Sequence, residues 1–550
     1  MKIKRTLATL LMVCTNNAIA DTTIINNING YSINNNQLEA FHAIQFTDDK
    51  IDKIYRKNDL VDQSKEIHVI DGKGKTLLPG LIDAHGHVLN YGLSLLNADL
   101  VGSKSEAEAV KRTLNYAQKT PNLTWVHGRG WNQVQWASNQ FPTAKSLDQV
   151  FPNQAVWLKR VDGHAGWANS KAMALAGITA STQAPQGGDI IKDALGQPTG
   201  VFIDNAMDLI DSAIPELTHT QKKFALKKAM KSLVSMGLTS VHDAGIDSDN
   251  ISLYKALAQN KEMPIRINAM LYLPSKNWQK TLQQGHYKSQ DDMFAFNSVK
   301  IQADGALGSR GASLIEDYSD HAGHKGLLLH DNKSLTEYIT TAMQAGFQVN
   351  THAIGDNANK ISLDLYQQLI KKTNSKSLRH RIEHAQILRL EDIPRFNQLG
   401  IIASMQATHA TSDKNMAQDR IGKQRILGAY AWRKLLNANT IIAAGSDFPV
   451  ESPNPFFGLH ASITRQDKLN QPEGGWLPNE KMTRVESLKS FTIDAAYSGH
   501  QETLIGSLEK GKKADFILVD NDYFTMSEKN IWNMKVLTTW VNGQVVYSKH

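Results

Sequence analysis

The sequence predicts an α/β protein: a (β/α)8 TIM-like barrel, a β-sandwich side domain from both chain termini, and an inserted α/β subdomain after the first barrel strand. Three observations predict this architecture. The chain has 550 residues, more than the ~250 that a barrel core needs. Short apolar runs alternate with helical patterns through its middle, which is typical of βαβ units. Both ends instead carry short alternating strands. A doubly wound parallel sheet is the alternative.

Residues 1–20 have the pattern of an export signal. A positively charged start precedes the apolar stretch 7–13, and Ala18-Ile19-Ala20 forms a small-residue cleavage site. We therefore expect Asp21 to be the mature N-terminus and the protein to be periplasmic or secreted. The alternative is an uncleaved start of a cytosolic protein. The single cysteine, Cys14, lies inside this segment, so any metal in the mature chain must be held by histidines, carboxylates or less usual ligands.

The charge balance argues against a nucleic-acid partner. The net charge is +7, and loss of the signal removes three positive charges and no negative ones, which leaves +4 without a dense Lys/Arg block. No apolar run approaches the ~20 residues that a spanning helix needs, so we expect no membrane association after signal removal. A small molecule is the expected partner. The oligomeric state is open, with a homodimer as one option.

The predicted segments follow one another along the chain. After the signal come the N-terminal part of the β-sandwich (21–76), the barrel (77–500) and the C-terminal part of the sandwich (501–550). About 150 residues, roughly 90–235, separate the first two barrel strands, far more than an ordinary βα loop, and we interpret them as an inserted subdomain that covers the functional rim. The eight barrel strands are predicted at 80–84, 238–242, 265–271, 299–301, 347–350, 381–383, 401–404 and 440–443.

Potential metal ligands follow five of these predicted strands. His85 and His87 are two residues apart in an extended segment, so their side chains point the same way. The carboxyl ends of parallel barrel strands meet on one face, which would bring distant ligands together. Each residue alone is weak evidence, and a His-rich polar rim is the alternative. The candidates at the carboxyl ends of the later strands are Lys300 with Asp304, His352, Glu383 with His384, and Asp447.

The segment Leu78-Pro79-Gly80-Leu81-Ile82-Asp83-Ala84-His85-Gly86-His87 resembles the opening signature of the amidohydrolase superfamily of metal-dependent hydrolases. Further segments resemble its amidohydrolase-3 group, which includes N-substituted formamide deformylase-like proteins. The likeness runs from about residue 65 to the C-terminus, with one departure at Ala407, where relatives tend to have proline. The segments are 161–169, 304–311, 350–356 and 445–451.

This resemblance implies a binuclear metal centre. His85, His87 and Asp447 would bind the more buried ion, and His352 with His384 would bind the second. Lys300 would carry carbon dioxide as a carbamate that bridges the two ions, since a free ammonium has no lone pair to offer a cation. The alternative is that Lys300 pairs with a carboxylate such as Asp304, which would leave one metal. The implied metals are two zinc ions, with Mn, Co or Fe as alternatives.

The resemblance also implies hydrolysis of a non-peptide C–N bond in an amide, formamide or cyclic amide by a metal-activated hydroxide. Asp447 would accept the proton of the hydroxide and deliver it to the leaving amine. His164, Arg129 or Arg310 would polarise the carbonyl. The alternatives are ester or carbamate hydrolysis at the same metals, and a barrel protein with a regulatory role and no turnover.

Several residues have both a binding and a structural interpretation. Asp162 and His164 would contact substrate or anchor the insert, and Trp131 would line a pocket or fill the core. Arg310 would hold a substrate carboxylate or fix its loop. Asp356 and Glu383 are expected to orient neighbouring ligands. The remaining secondary candidates are Trp136, Trp167, His127, His242 and His409.

Overall fold

The computed structural model describes residues 22–61, 67–120 and 123–549. The predicted signal segment 1–20, with Cys14, and the expected mature N-terminus Asp21 therefore lie outside the described residues. Within the described ranges, no helix combines the length and the hydropathy that crossing a bilayer requires.

The described chain begins with a set of strands in which buried and exposed side chains alternate in part. They lead directly into the first strand of the barrel and a short helix. The elements are β1 (Thr22–Asn34), β2 (Gln37–Phe41), β3 (Ala43–Thr47), β4 (Lys50–Tyr55), β5 (His68–Pro79), β6 (Leu81–Gly86) and α1 (Val88–Ser94).

A six-stranded sheet with its own helices follows, which we call the insert (residues 98–211). Its strand order is β11-β12-β10-β9-β8-β7, and its separate apolar core contains Trp131, Trp136 and Trp167. Its elements are β7 (Ala98–Asp99), α2 (Glu106–Lys119), β8 (Trp125–Trp131), α3 (Ala144–Asp148), β9 (Ala155–Arg160), β10 (Ala165–Ala168), α4 (Ser170–Leu175), β11 (Gly188–Lys192), β12 (Pro198–Asp204) and α5 (Asp208–Asp211).

The chain then returns to the barrel. The returning helix, α6, lies inside the predicted 90–235 interval, but its buried face belongs to the main core of the barrel. The elements are α6 (His219–Ser235), β13 (Leu238–Ile246), α7 (Ser248–Gln259), β14 (Arg266–Leu273), α8 (Trp278–Gln283), β15 (Tyr287–Lys288), β16 (Phe294–Gln302), α9 (Asn332–Gln344), β17 (Gln348–Ala353), α10 (Asp356–Thr373), β18 (Arg381–His384), α11 (Ile393–Leu399), β19 (Ile402–Gln406), α12 (Ala407–Asp413), α13 (Ala417–Arg425), α14 (Trp432–Asn437), β20 (Ile442–Gly445), α15 (Pro455–Thr464), α16 (Arg484–Ser490) and α17 (Ile493–Ser498).

Eight parallel strands form the barrel in the order β6-β13-β14-β16-β17-β18-β19-β20. Most are buried along their whole length, as expected for parallel strands covered on both faces. The ends of the sheet meet where the backbone N–H of Asp447 donates to the carbonyl of His85 at 2.7 Å. Gly445 permits this approach, because a Cβ there would lie 2.6 Å from Asp83 Oδ1. The predicted TIM-like barrel is confirmed.

Side-chain caps mark the N-terminal ends of several helices. Thr218 and Gln221 form a reciprocal capping box at the start of α6, and Asp331 accepts from Ser334 N at the start of α9. Each cap satisfies backbone N–H groups that have no partner inside the helix. These helices pack around the barrel and hold the strand ends in place.

The chain ends in β21 (Phe516–Val519), β22 (Val536–Val541) and β23 (Gln544–Ser548). They join the N-terminal strands in one eight-stranded sheet, ordered β23-β22-β21-β5-β1-β3-β4 with β2 beside β1. Both termini therefore build the side domain together. Arg266, fully buried at the start of β14, donates to Asp515 through Nε at 2.7 Å and through Nη2 at 3.0 Å. This pair fixes the terminal sheet to the barrel.

Candidate metal centre

The six predicted ligand residues meet at the carboxyl end of the barrel. Ligand atoms of His85, His384 and Asp447 lie within 4.8 Å of one another. His87 Nε2 lies 3.0 Å from Asp447 Oδ1, and Lys300 Nζ lies 3.2 Å from His85 Nε2. The ring of His352 completes the set, with its centroid 4.6 Å from that of His384. The barrel thus assembles one cluster from strands that are far apart in sequence.

Unusual backbone conformations direct the side chains of His384 and Asp447 into the site. His384 and Asp447 both have positive φ angles, 73° and 60°, a region that non-glycine residues seldom adopt. Each residue stands where its strand ends, so the simple alternation of side chains along the strand no longer determines its direction. Such backbone conformations cluster at functional sites, where the surrounding structure holds them.

Buried partners orient the two central imidazoles. Nδ1 of His85 is hydrogen-bonded to a carboxylate oxygen of Glu383, and Nδ1 of His384 lies 2.7 Å from Gln406 Oε1. Because both oxygens are acceptors, the two Nδ1 atoms carry the protons and the two Nε2 atoms keep their lone pairs. Glu383 is in turn held by Arg381, whose Nε donates to it at 2.7 Å.

The protonation states favour cation binding. Burial lowers the pKa of His85 to about 4, and burial lowers the pKa values of His352 and His384 well below the usual range. Burial acts to raise the pKa of Asp447, but the hydrogen bond from His87 and the neighbouring imidazoles hold it well below its usual range. The site therefore offers neutral imidazoles and an ionised carboxylate at neutral pH.

An unpaired imidazole nitrogen shows that the site fits a metal. Within the described ranges, Nε2 of His352 is buried and has no hydrogen-bond partner, which is costly unless something binds it. Within the described ranges, Lys300 makes no ion pair with a carboxylate, and its buried amine faces an imidazole. The alternative partner Asp304 instead accepts hydrogen bonds from backbone N–H groups of Ser313, Ile354 and Gly355. Nitrogen and oxygen donors of this kind suit Zn, Mn, Fe or Co.

A cavity of about 1030 Å³ opens above this cluster. His352, His384 and Asp447 form part of its floor, and the insert supplies one wall with Arg129, Asp162 and His164. A further part of the wall comes from α12, which follows β19, and from the loop after β20, with the carboxylates of Asp413 and Glu451 near His409. The cavity is large enough for a small-molecule substrate.

The insert residues in this wall are held firmly. Asp162 accepts from His164 N at 3.0 Å and forms an ion pair with Arg160. The guanidinium of Arg129 lies against Gly163 and donates to Val161 O at 2.9 Å, while its buried Nε has no hydrogen-bond partner in the described part of the chain. Burial alone would lower the pKa of His164, but Asp204 raises it to about 8. Arg129 and His164 therefore bring positive charge to the cavity.

Other predicted site residues are placed elsewhere in the described chain. Trp131 is fully buried in the core of the insert, where its Nε1 donates to Leu158 O, and Trp136 and Trp167 share that core. Arg310 pairs with Asp320 at 3.0 Å and is not part of the cavity wall. It fixes its own loop, which is the structural interpretation that the sequence left open.

Of the secondary candidates, His409 lines the cavity, whereas Asp356, His242 and His127 lie elsewhere in the described structure. Asp356 accepts from Ile315 N at the start of α10 and contacts none of the six ligand residues in the described structure. His242 lies beneath the site, 3.0 Å from Arg381 Nη1, and His127 stacks on Trp125. His409 lines the cavity, with Nε2 3.5 Å from Asp447 Oδ2.

Sequence reasoning did not single out Gln406, Asp83 or Asp204. Gln406 binds His384, Asp83 accepts from the backbone N–H and hydroxyl of Ser446, and Asp204 binds His164. The position of Gln406 at the end of the seventh predicted strand was a signal for its role. Asp204 gave no comparable signal, because its strand lies in the insert.

A model of the amidohydrolase family matches residues 68–547. The protein LONG AFTER FAR-RED 3 of Arabidopsis thaliana is 33% identical over 490 residues, which cover 86% of this chain and 83% of that protein. The N-substituted formamide deformylase of Arthrobacter pascens is 26% identical over 513 residues, which cover 88% and 90%. The predicted family resemblance is thereby confirmed.

The fold is also similar to solved structures. An uncharacterized metal-dependent hydrolase from Pyrococcus horikoshii OT3 aligns with a TM-score of 0.74 at 24% identity, over 92% of this chain and 99% of that chain. At this identity the similarity establishes the shared architecture of barrel and attached domains.

Proposed function

This chain belongs to the amidohydrolase family of metal-dependent hydrolases, and from that premise we propose that it cleaves a non-peptide C–N bond in an amide, formamide or cyclic amide. The observation that carries this proposal is the convergence of His85, His384 and Asp447 within 4.8 Å on the floor of a substrate-sized cavity. The formamide deformylase relative supports the bond type.

We assign the metal-holding role to His85, His87, Lys300, His352, His384 and Asp447. Two zinc ions fit these donors, with Lys300 as a carbamate, because an ammonium at 3.2 Å from His85 Nε2 would repel a cation there. Bound divalent cations of this kind polarise a carbonyl and lower the pKa of water toward ~7. The same donors accommodate Mn, Co or Fe.

Asp447 is positioned to move the proton. Its side chain lines the cavity, and the imidazoles around it hold its pKa well below the usual range, so this ionised carboxylate can accept a proton from the attacking water. It can then deliver that proton to the nitrogen that leaves, which an amide requires because its nitrogen departs poorly unless protonated.

The two walls of the cavity orient the substrate. His164 and Arg129 place N–H donors on the insert side, where they would bind the carbonyl oxygen as it gains negative charge. Asp413 and Glu451 line another part of the cavity and would bind the amine. Asp162 supports this binding by holding the loop that carries His164.

The proposed setting is export to the periplasm or the medium, supported by the signal-like pattern of residues 1–20. The proposed partner is a small amide-type molecule. Hydrolysis of an ester or carbamate at the same centre is the second candidate, since the same donors and cavity serve any polarised carbonyl.

The test is a metal-reconstituted preparation of the full chain assayed against matched sets of N-formyl amines, N-acyl amines, cyclic amides, esters and carbamates. We expect turnover of at least one C–N substrate class that disappears after chelation and returns with Zn or Mn. Turnover confined to esters or carbamates would favour the second candidate. Less than one equivalent of bound metal, with no gain on reconstitution and no turnover, would indicate a barrel protein without catalysis.

A further inference from the structure

A histidine and an aspartate of the insert form a close pair at the cavity. His164 precedes β10 and Asp204 ends β12, and these strands pair antiparallel with Ala165 opposite Ile203. This register sets the two residues side by side. His164 Nδ1 lies 2.5 Å from Asp204 Oδ1, and the backbone N–H of Asp204 donates to the carbonyl of His164 at 3.1 Å.

The backbone conformation and the burial of Asp204 hold its carboxylate against His164. Its φ angle is 45°, in the left-handed region that non-glycine residues seldom adopt. Its side chain is 1% exposed, and among the described residues its second oxygen, Oδ2, has no hydrogen-bond partner. In this part of the chain the side-chain hydrogen bond of the carboxylate is the one with His164.

The loop after the fourth barrel strand leaves room for this carboxylate. A Cβ on Gly305 would lie 2.5 Å from Asp204 Oδ2, and a Cβ on Gly311 would be as crowded by the same atom. Two of the three glycines in the segment 304–311, Gly305 and Gly311, therefore permit the approach of Asp204. This segment belongs to the barrel, so the pair couples the insert to the barrel at the edge of the cavity.

His164 itself faces the proposed reaction site. It lines the cavity with 15% of its side chain exposed, and its ring centroid lies 5.5 Å from that of His352. Since Asp204 occupies Nδ1, the ring nitrogen that remains for a ligand is Nε2. Asp162 fixes the backbone of His164 from the other side, so little freedom is left to the imidazole.

We propose that Asp204 is a positioning residue that orients His164, so that His164 Nε2–H donates to the carbonyl oxygen of the substrate as that oxygen gains negative charge. The inference rests on the proposed function and extends it to a residue of the insert. A carboxylate behind a histidine fixes the tautomer and the ring orientation, and it stabilises the imidazolium form. The insert would then contribute to the chemistry as well as cover the site.

The test is a double-mutant cycle in the metal-reconstituted full chain with the best amide substrate. We expect Asp204→Asn and His164→Gln each to lower kcat by roughly 10- to 100-fold with KM changed by less than about threefold. The double variant should be no slower than His164→Gln alone, because Asp204 acts through His164. Asp211→Asn, which removes a carboxylate bound to Lys159 and Trp157 on the same subdomain, should leave kcat unchanged.

A spectroscopic measurement separates positioning from a general effect on the fold. The proton NMR spectrum of 15N-histidine-labelled protein should contain a strongly deshielded Nδ1–H signal that disappears in His164→Gln and moves upfield in Asp204→Asn. Asp204→Ser takes the place of Asp204→Asn if the latter does not fold. Single losses that multiply in the double variant, or a wild-type spectrum without the deshielded signal, would overturn the proposal. If no amide is hydrolysed, the proposed function and this catalytic role fail together, while the spectrum still reports the hydrogen bond.

Discussion

Lys300 Nζ lies 3.2 Å from His85 Nε2, with both side chains buried at the floor of the cavity. A lysine usually enters a protein interior only with a carboxylate partner, and within the described ranges Lys300 has none. Burial accordingly lowers the pKa of Lys300. The pairing of an amine with an imidazole lone pair is consistent with a lysine that is modified when the centre is filled.

We expect Lys300→Met to reduce the bound metal from about two equivalents to about one or fewer, because methionine removes the bridging group and keeps similar bulk. Metal analysis of dialysed protein measures this directly. Wild-type protein grown or incubated with 13C-bicarbonate should show a carbamate resonance in its 13C NMR spectrum, and Lys300→Met should not. Two equivalents of metal in the variant would show that Lys300 is not a bridge.

Asp447→Asn should keep the fold and lose most turnover. The amide matches the carboxylate in size, but it cannot accept the proton of the attacking water, and it weakens the hold on a cation. A loss of general acid–base catalysis is worth roughly 10²–10⁴ in kcat. Kinetic assays corrected for metal content, with circular dichroism to monitor the fold, test this. A variant that keeps more than a tenth of the wild-type kcat would remove Asp447 from the mechanism.

Glu383→Gln should weaken metal binding although Glu383 is not itself one of the proposed metal ligands. Glu383 accepts the Nδ1 hydrogen of His85 and is held by Arg381 Nε, so the change loosens the ring orientation and leaves a buried guanidinium without its charge partner. Loss of such a partner typically lowers metal affinity about 10- to 100-fold. Competition with a chelator of known affinity measures it. The matched control is Glu473→Gln, an exposed carboxylate, which should not change the affinity.

The sequence predicted the barrel well because its signals are local and repeated. All eight expected strand positions overlap observed strands. The strand ends bring together the side chains of His85, Lys300, His352, His384 and Asp447. Because the parallel strands of a barrel share a direction, every residue at the carboxyl end of a strand lies on the same face of the barrel. A ligand at a strand end could therefore be recognised without knowing the loops.

The insert was harder to predict, because its contacts depend on pairing within an irregular segment. Trp131 and Arg129 stand two residues apart on the same strand, yet Trp131 fills the core and Arg129 reaches the cavity. A register shift between Arg129 and Trp131 separates their directions, and no local pattern reveals it. The Asp204–His164 contact likewise joins residues 40 positions apart. It depends on the antiparallel pairing of β10 with β12, which the sequence of either strand alone does not predict.

Glu486→Gln should lower stability at neutral pH and lower it less in acid. Two hydrogen bonds from the Arg433 guanidinium lower the pKa of Glu486 from its usual value of 4.5 to about 2. Because the folded pKa is lowered, the stabilisation is complete above pH 4.5 and is lost as pH falls toward 2. After allowance for the 30% exposed side chain, it is worth about 1–2 kcal/mol, or about 1–2 °C in Tm for a chain of this size. Thermal unfolding at pH 7.5 and at pH 2.5 measures the difference, with Glu473→Gln as the control. An equal Tm difference at both pH values would show that packing around α16, and not the charge of Glu486, carries the effect.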